Sequence, residues 1–572
     1  MKRIIQIVCF LIPMTCFAQY NENTSPDYKT LIQIYTDLAR EHEEIELYSM
    51  GQSDYGLPIY LCVINGEQDS LSTFEKSRSG TSVLINNAIH PGEPDGVNAC
   101  LIWIENWIKN GKLTQGFPVV GIIPAYNVGG MMTRSGTSRA NQNGPEEYGF
   151  RGNAKNLDLN RDFIKMDSEN MFTFAKIYHA LDPDVFLDTH VSNGADYQYT
   201  MTYIASVKER MAPSLATLVH GEMLPYLKKE SKSRGYELVP YVHLKGETPE
   251  SGIQVFNDLP RYSMGYASLM NTISLTLETH MLKPFPSRVT STVVFLESTI
   301  DWVRQNTSKI ESARADALEW EKTLGYYKFN YKLTDHRDSI LFKGFEFSHP
   351  KSEVTGLKRL KYHKEKPYEK YIPYFNEYKE TDSVLICDFY VLGAQCKSII
   401  DRLEANGIEL NVLTRDSTMN LTSYQITESS NGKKPYEGHY LHSGTKVLKT
   451  KKLIELKKGD VLIRTQQKNK RFLISVLEPQ TPDSYFAWNY FDSYLQQKEY
   501  FSPYVFEDKA IELLEENGEL RKRFEEKKEQ EKEFSESSWE QLYFIYKNSA
   551  YYEPSHNVIP INAGSHKEIK KY

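Results

Sequence analysis

Cysteine is scarce in this chain, with 6 among 572 residues, and two of the six, Cys9 and Cys16, stand in the apolar start. The other four, Cys62, Cys100, Cys387 and Cys396, are too few for a disulfide framework in a chain of this length. Cys62 and Cys100 lie in apolar runs and read as buried thiols, while a Cys387–Cys396 bridge stays open. No later segment approaches the roughly 18 consecutive apolar residues of a membrane span, so no transmembrane segment is expected and the mature chain should be soluble. Basic excess is missing too. The formal charge is −7, which argues against a nucleic-acid partner. There is no phosphate-binding glycine loop, no internal repeat and no sustained heptad run.

The start, Met1-Lys-Arg-Ile-Ile-Gln-Ile-Val-Cys-Phe-Leu-Ile-Pro-Met-Thr-Cys-Phe-Ala18, has a basic beginning, a short apolar core and small residues before Gln19. It reads as a secretory signal peptide over 1–18, and an exported, periplasmic or secreted product is expected. Loss of Lys2 and Arg3 takes the charge from −7 to −9.

The most informative motif is His90-Pro91-Gly92-Glu93, directly after the apolar run Ser82 to Ile89. Imidazole nitrogen and carboxylate oxygen suit Zn²⁺, and the pair needs a third ligand. His190 supplies one at the end of Asp184-Val-Phe-Leu-Asp-Thr-His190. Three protein ligands leave a fourth position open for water, which distinguishes a catalytic site from a closed structural one. A general base must reach that water without joining the ligands. Glu278, in Ile273-Ser-Leu-Thr-Leu-Glu278, fits that role from another strand.

Together with Arg151-Gly-Asn-Ala-Lys-Asn-Leu-Asp158-Leu-Asn160-Arg161, these elements resemble, in type and order, the zinc metallocarboxypeptidases of the carboxypeptidase A type. The resemblance covers roughly residues 25 to 310. It implies one zinc per chain held by His90, Glu93 and His190, with Glu278 as catalytic base and Arg151 as oxyanion stabiliser. Asn160 and Arg161 would grip a substrate's terminal carboxylate, which suits the forked donors of a guanidinium, and Arg134 and Arg139 lie in the same loop as other candidates for the oxyanion. Asp158, which matches the family motif, is favoured over Asp188 as the carboxylate that orients a ligand imidazole. For the mobile active-site tyrosine of the family the candidates are Tyr262 and Tyr266, at a spacing that departs from the family pattern. His179 and His280 match no motif and read as structural.

Apolar, β-branched runs at Ile59 to Ile64, Ser82 to Ile89, Val119 to Pro124, Val185 to Thr189 and Ile273 to Leu277 alternate with helical patterns, which reads as an α/β sheet covered on both faces. The resemblance sharpens this to a mixed, largely parallel eight-stranded sheet flanked by helices, followed by a smaller α+β domain. One helix starts near Pro94, follows Val97, Cys100, Leu101, Ile104, Trp107 and Ile108, and ends at Gly111. The Gly- and Asn-rich stretch from Ala125 to Asn160 is long enough to need a functional reason. The expected organisation is a signal peptide (1–18), a peptidase domain (19–324), a connecting segment (325–381), a small α+β domain (382–506) and a charged helix with tail (507–572).

The expected function is an exported zinc carboxypeptidase acting on peptides. Alternatives are a cell-wall peptide amide hydrolase of the same family, a hydrolase of N-acyl amino acids, and a catalytically silent binding protein. Side-chain preference rests on residues between His190 and Glu278, where the resemblance gives no alignment. The oligomeric state is not legible.

Overall fold

The computed structural model describes residues 22–67, 69–110 and 116–569. The signal segment 1–18 and the expected helix end at Gly111 lie outside the described residues. The chain divides into two compact units. The first runs to Ile386 and includes Ser398–Glu409 and Thr465–Ser484; the second comprises Cys387–Lys397, Leu410–Arg464 and the residues from Tyr485 onward.

The core of the first unit is an eight-stranded sheet of β1 (Ile45–Gln52), β2 (Pro58–Ile64), β3 (Ser82–Asn86), β4 (Val119–Ile123), β5 (Val185–Ser192), β6 (Met201–Ala205), β7 (Leu238–Pro240) and β8 (Ile273–His280). Their order is β1-β2-β4-β3-β5-β8-β6-β7. The central pairings β4/β3, β3/β5 and β5/β8 are parallel, as is β6/β7, while β1/β2, β2/β4 and β8/β6 are antiparallel. Every residue of β3, β4 and β5 is buried, as expected for strands covered on both faces. The helices Asp95–Lys109, Glu169–Leu181, Ser263–Leu269 and Phe285–Gln305 flank the sheet.

The expected strands are all present, with shifted ends. The run Ser82 to Ile89 stops being a strand at Asn86, because Ala88 takes a left-handed conformation at φ 56°, which costs a residue with a Cβ about 1–3 kcal/mol unless the surroundings hold it. They do: Asn127 N–H donates to the Ala88 carbonyl at 3.1 Å. The reversal lifts His90 out of the sheet. Conversely, β5 and β8 continue two residues past His190 and Glu278.

Arg288, fully buried in the helix Phe285–Gln305, donates to both oxygens of Asp95 at 2.9 and 3.2 Å and to the Lys283, Asn143 and Gly144 carbonyls at 2.8–2.9 Å. Breaking such a buried pair leaves an uncompensated charge. It ties the start of the helix after the His-Pro-Gly-Glu turn to the loop that frames the cleft.

Residues 325–381, expected to connect, are instead folded into the first unit as strands. Tyr326–Leu333 pairs with Tyr378–Leu385, and Asp338–Ser348 with Lys361–Phe375. Phe342, Tyr368 and Ile372 of the long hairpin are buried with Tyr197, Tyr199 and Ile253. Lysine and glutamate alternate with these apolar residues, so half of each strand reads as loop.

The second unit holds a six-stranded antiparallel sheet, with Phe389–Leu392 between Val461–Arg464 and Val558–Gly564, and Ser417–Asn431 next to His442–Leu456. No disulfide joins Cys387 and Cys396. The charged helix expected at the start of 507–572 is three helices, Pro503–Glu516, Gly518–Gln530 and Lys532–Ser535. With Ser538–Lys547 they enclose a core of Phe506, Leu520, Phe524, Phe534, Leu542 and Ile545. Charge pairs on the exposed faces mask that apolar stripe in the sequence. Among the described residues no helix is long and apolar enough to cross a membrane.

Candidate metal centre and active site

The turn after β3 brings His90 and Glu93 together, with Glu93 N–H donating to the His90 carbonyl at 2.8 Å. Gly92 is required here: a Cβ at this position would stand 2.8 Å from Arg139 Cδ and 3.1 Å from the Gly149 carbonyl. His190 joins from β5. One ligand atom from each of the three residues lies within 4.8 Å of the other two, and all three residues are buried.

Both imidazoles are held in the same way. Nε2 of His90 lies 2.9 Å from Asp158 Oδ1, and Nε2 of His190 lies 3.0 Å from Asp188 Oδ2. This turns Nδ1 of each ring towards Glu93, at 3.3 Å from Oε1 and 3.1 Å from Oε2 respectively. A carboxylate behind each ligand imidazole fixes its orientation and raises its basicity. The choice between Asp158 and Asp188 therefore resolves into both, one for each histidine. Asp188 is two residues before His190 on one strand, so their side chains share a face.

Two histidines and a carboxylate with converging donors fit a single zinc ion with an open coordination position. Charge balance agrees. Burial alone would raise the Glu93 carboxyl, but Arg139 and His90 hold it well below the usual carboxylate range. Burial works against protonated His190, yet Asp188 and Glu93 push its pKa well above the ordinary imidazole value. A divalent cation among these groups would take the place of the proton.

Glu278 lies across from His190 in the β5/β8 register. Burial, reinforced by the Glu93 carboxylate, pushes its carboxyl up, while His190, Arg139 and Arg151 pull against the rise. A carboxylate whose pKa is raised in this way is a better proton acceptor than an exposed one.

The loop from Ala125 to Asn160 supplies the cations. Arg151 donates to Asp158 Oδ2 through Nε at 3.1 Å and a terminal nitrogen at 2.8 Å, and another terminal nitrogen lies 3.3 Å from His90 Nδ1. Arg139 pairs with Glu93 Oε1 at 2.5 Å and donates to the Val191 carbonyl at 3.0 Å. Arg134 instead holds the Ser25, Pro26 and Glu147 carbonyls at 2.9–3.2 Å. Asn127 pins the loop: its amide donates to the Ile89 carbonyl at 3.1 Å and the Arg151 carbonyl at 3.0 Å. Nothing in its local sequence marks it beyond its place after a strand.

Arg161 and Asn160 sit in a tight turn after Asp158, where Asn160 N–H donates to Asp158 Oδ1 at 2.9 Å. Asn160 Oδ1 accepts the Ser263 N–H at 3.0 Å, so its NH₂ faces away from that bond. The Arg161 guanidinium lies 4.6 Å above the Tyr262 ring, a cation–π contact.

A cleft of about 250 Å³ unites His90, Glu93, His190, Glu278, Arg139, Arg151, Asn160, Arg161 and Tyr262. Tyr266 is not part of it, which corrects the expectation for that residue. Tyr262 has extended backbone before the helix Ser263–Leu269, so the four-residue spacing does not put the two rings on one face. Tyr266 is fully buried and its hydroxyl donates to Asn406 Oδ1 at 2.8 Å. The cleft also contains Tyr241, Phe256 and Asp258, which the sequence does not single out. His179 and His280 lie outside the cleft; His280 stacks on Tyr197 at 4.2 Å between ring centroids.

No protein-family model and no curated protein sequence matches the chain. Solved structures do. The chain is similar to a metallo-carboxypeptidase from Burkholderia cenocepacia, at 15% identity and a TM-score of 0.35, over 48% of this chain and 68% of that one. It is also similar to the carboxypeptidase A from Helicoverpa armigera, at 14% identity and a TM-score of 0.37, over 52% of this chain and 75% of that one.

Proposed function

We propose that the chain is an exported zinc-dependent metallocarboxypeptidase that releases the C-terminal residue of peptides. The observation that carries this reading is the joint placement, in one cleft, of the His90-Glu93-His190 donor set, Glu278, and the Arg161-Asn160 turn. Export rests on the character of residues 1–18.

Zinc held by His90, Glu93 and His190 would supply a Lewis acid for the scissile carbonyl and lower the pKa of water at its open position. Arg161 and the Asn160 amide bind the terminal carboxylate and so limit cleavage to the last peptide bond. Arg151, braced on Asp158, donates to the carbonyl oxygen as negative charge develops there. Glu278 takes the proton of the attacking water on its carboxylate and passes it to the leaving nitrogen. Tyr262 keeps the Arg161 guanidinium in place by stacking on it.

The test is mass spectrometry of products from zinc-loaded protein incubated with peptides, their C-terminally amidated counterparts, and muropeptides. Loss of one terminal residue from the free acids, blocked by amidation and by chelation, is the expected result. Cleavage inside chains, or equal cleavage of acids and amides, contradicts the reading; cleavage of muropeptides alone moves it to cell-wall peptides.

A further inference from the structure

The helix Ser263–Leu269 contributes to two hollows. Ser263 and Met264 line the catalytic cleft, while Gly265, Ser268 and Leu269 line a cavity of about 470 Å³ that shares no lining residue with it. Every residue of that lining belongs to the first unit, and the volume is in the range of ligand sites.

Tyr326 to Tyr331 line the cavity as six consecutive residues. Side chains alternate between faces along a strand, so one face alone would contribute every second residue. The unbroken run makes the strand's edge part of the wall. That edge is free among the described residues: Tyr326–Leu333 pairs with Tyr378–Leu385 on one side, in a sheet of two strands. The N–H and C=O groups that do not bond across an antiparallel pair point to the opposite edge, where they form a template for a further extended chain.

The lining is also cationic, in a chain of formal charge −7. Arg471 is 4% exposed, and its guanidinium donates to the Ser268 carbonyl, to the Arg210 carbonyl at 2.8 Å and to Asn271 Oδ1 at 2.8 Å, while Nε has no partner. Arg210 donates from one terminal nitrogen to Asn257 Oδ1 at 2.9 Å. The two guanidiniums lie over Trp320 at 5.5 Å and Tyr331 at 5.6 Å, cation–π contacts that supply no counter-ion. Among the described residues neither arginine forms an ion pair. Glu321 accepts the Arg471 backbone N–H at 2.7 Å, and Asp483 is held by Arg261 at 2.8 Å. Asp258 feels the charge of Arg210 but accepts the Val207 N–H at 3.2 Å. Glu209 is the acidic residue of the lining; burial raises its carboxyl, and it bonds neither arginine. Lys328 is paired with Glu380, whereas exposed Lys208 forms no ion pair among the described residues. Desolvated cations without a counter-charge are costly, and an anionic partner relieves that cost.

We propose that this cavity is a docking site for an extended acidic peptide, which adds a strand to the free edge of Tyr326–Leu333 and sets a glutamate or aspartate carboxylate against Arg210, in the field of Arg471. The strand edge supplies main-chain bonds that any sequence can make, and the guanidinium supplies the preference for an acid. The apolar residues of the peptide lie along Leu259, Leu269 and Tyr327. The site takes a segment of chain rather than a terminus, so it stands independently of the peptidase reading.

The test is fluorescence anisotropy with the zinc-loaded full chain and fluorescein-labelled, C-terminally amidated octapeptides in which valine alternates with glutamate, glutamine or lysine. The glutamate peptide is expected to bind at least about 10-fold more tightly than the glutamine peptide, and the lysine peptide more weakly still. Arg210→Glu should remove that preference. N-methylation of alternate residues of the glutamate peptide, in either phase, tests the strand: one phase should lose at least about 10-fold in affinity, because it removes the N–H donors facing the edge. This last comparison uses the wild type, so it decides even if Arg210→Glu folds poorly. Equal binding of the glutamate and glutamine peptides, an unchanged preference in Arg210→Glu, or indifference to N-methylation in both phases overturns the assignment. Displacement of the glutamate peptide by sodium benzoate as effective as by unlabelled peptide also overturns it, in favour of a site for a small organic anion.

Discussion

Glu278 and His190 are register partners on the adjacent parallel strands β8 and β5, one strand spacing or ~4.8 Å apart. This places a half-buried carboxylate beside the third metal ligand without making it part of the donor set. The separation has a direct test. Glu278→Gln should keep its metal and its fold but lose at least about 10² in kcat, because the amide is nearly isosteric and cannot accept the proton. Metal content and kcat measured on one preparation check this; substantial residual turnover would remove Glu278 from the role of base.

The two histidine–carboxylate pairs separate ligand from support. His190→Ala should lose metal retention outright, since two donors remain. Asp188→Asn should retain metal with an affinity weakened by roughly 10- to 100-fold, the usual effect of losing the carboxylate behind a ligand imidazole. Competition titration against a chelator measures both. An Asp188→Asn variant with wild-type affinity would show that the 3.0 Å contact to His190 Nε2 does nothing for the metal.

Arg161 should decide where a substrate is cut. In Arg161→Ala the preference for a free C-terminal acid over the matched amide should drop by about 10- to 150-fold in kcat/KM, the range of a charge-assisted hydrogen bond of roughly 1.5–3 kcal/mol. Arg161→Lys should recover only part, because a point charge replaces a forked donor. Paired free-acid and amidated peptides read by mass spectrometry give the ratio, and an unchanged ratio in Arg161→Ala assigns carboxylate recognition elsewhere.

Much of this geometry is legible in the residue order. The ligand triad and Glu278 belong to short motifs attached to apolar runs, Asn160 and Arg161 to one motif at the end of the Gly- and Asn-rich loop, and the cleft contains all of these residues. What escapes the sequence depends on approach from distant segments. Asp258 and Tyr241 lie in irregular chain after β6 and β7, where no periodicity assigns an orientation. Asn127 looks like any polar residue after a strand until its amide is found joining Ile89 to Arg151. Tyr266 shows the opposite failure: the nearness of Tyr262 suggests a shared role, but the change from extended to helical backbone at Ser263 turns the second ring into the core. The hairpin strands of 338–375 and the helices of 503–547 are hidden by surface charge alternating with their buried residues.

Burial also sets a pH dependence away from the metal. His179 is half-buried next to Tyr266, and its pKa is lowered to about 4, first by desolvation and then by Lys468. An unfolded histidine titrates near 6.5. Between these values the unfolded chain binds the proton and the folded one does not, so the neutral form is no burden above pH 6.5 and stability falls as pH drops from 6.5 towards 4. At pH 5 the penalty is roughly 2 kcal/mol. His179→Gln keeps a polar group near the Tyr266 hydroxyl, 3.2 Å from His179 Nε2 in the wild type, but does not titrate. Its loss of stability between pH 7 and pH 5, measured by denaturant unfolding, should be smaller than that of the wild type by about that amount. Equal losses would mean that His179 is protonated without difficulty in the folded protein, and that the acid sensitivity comes from other groups.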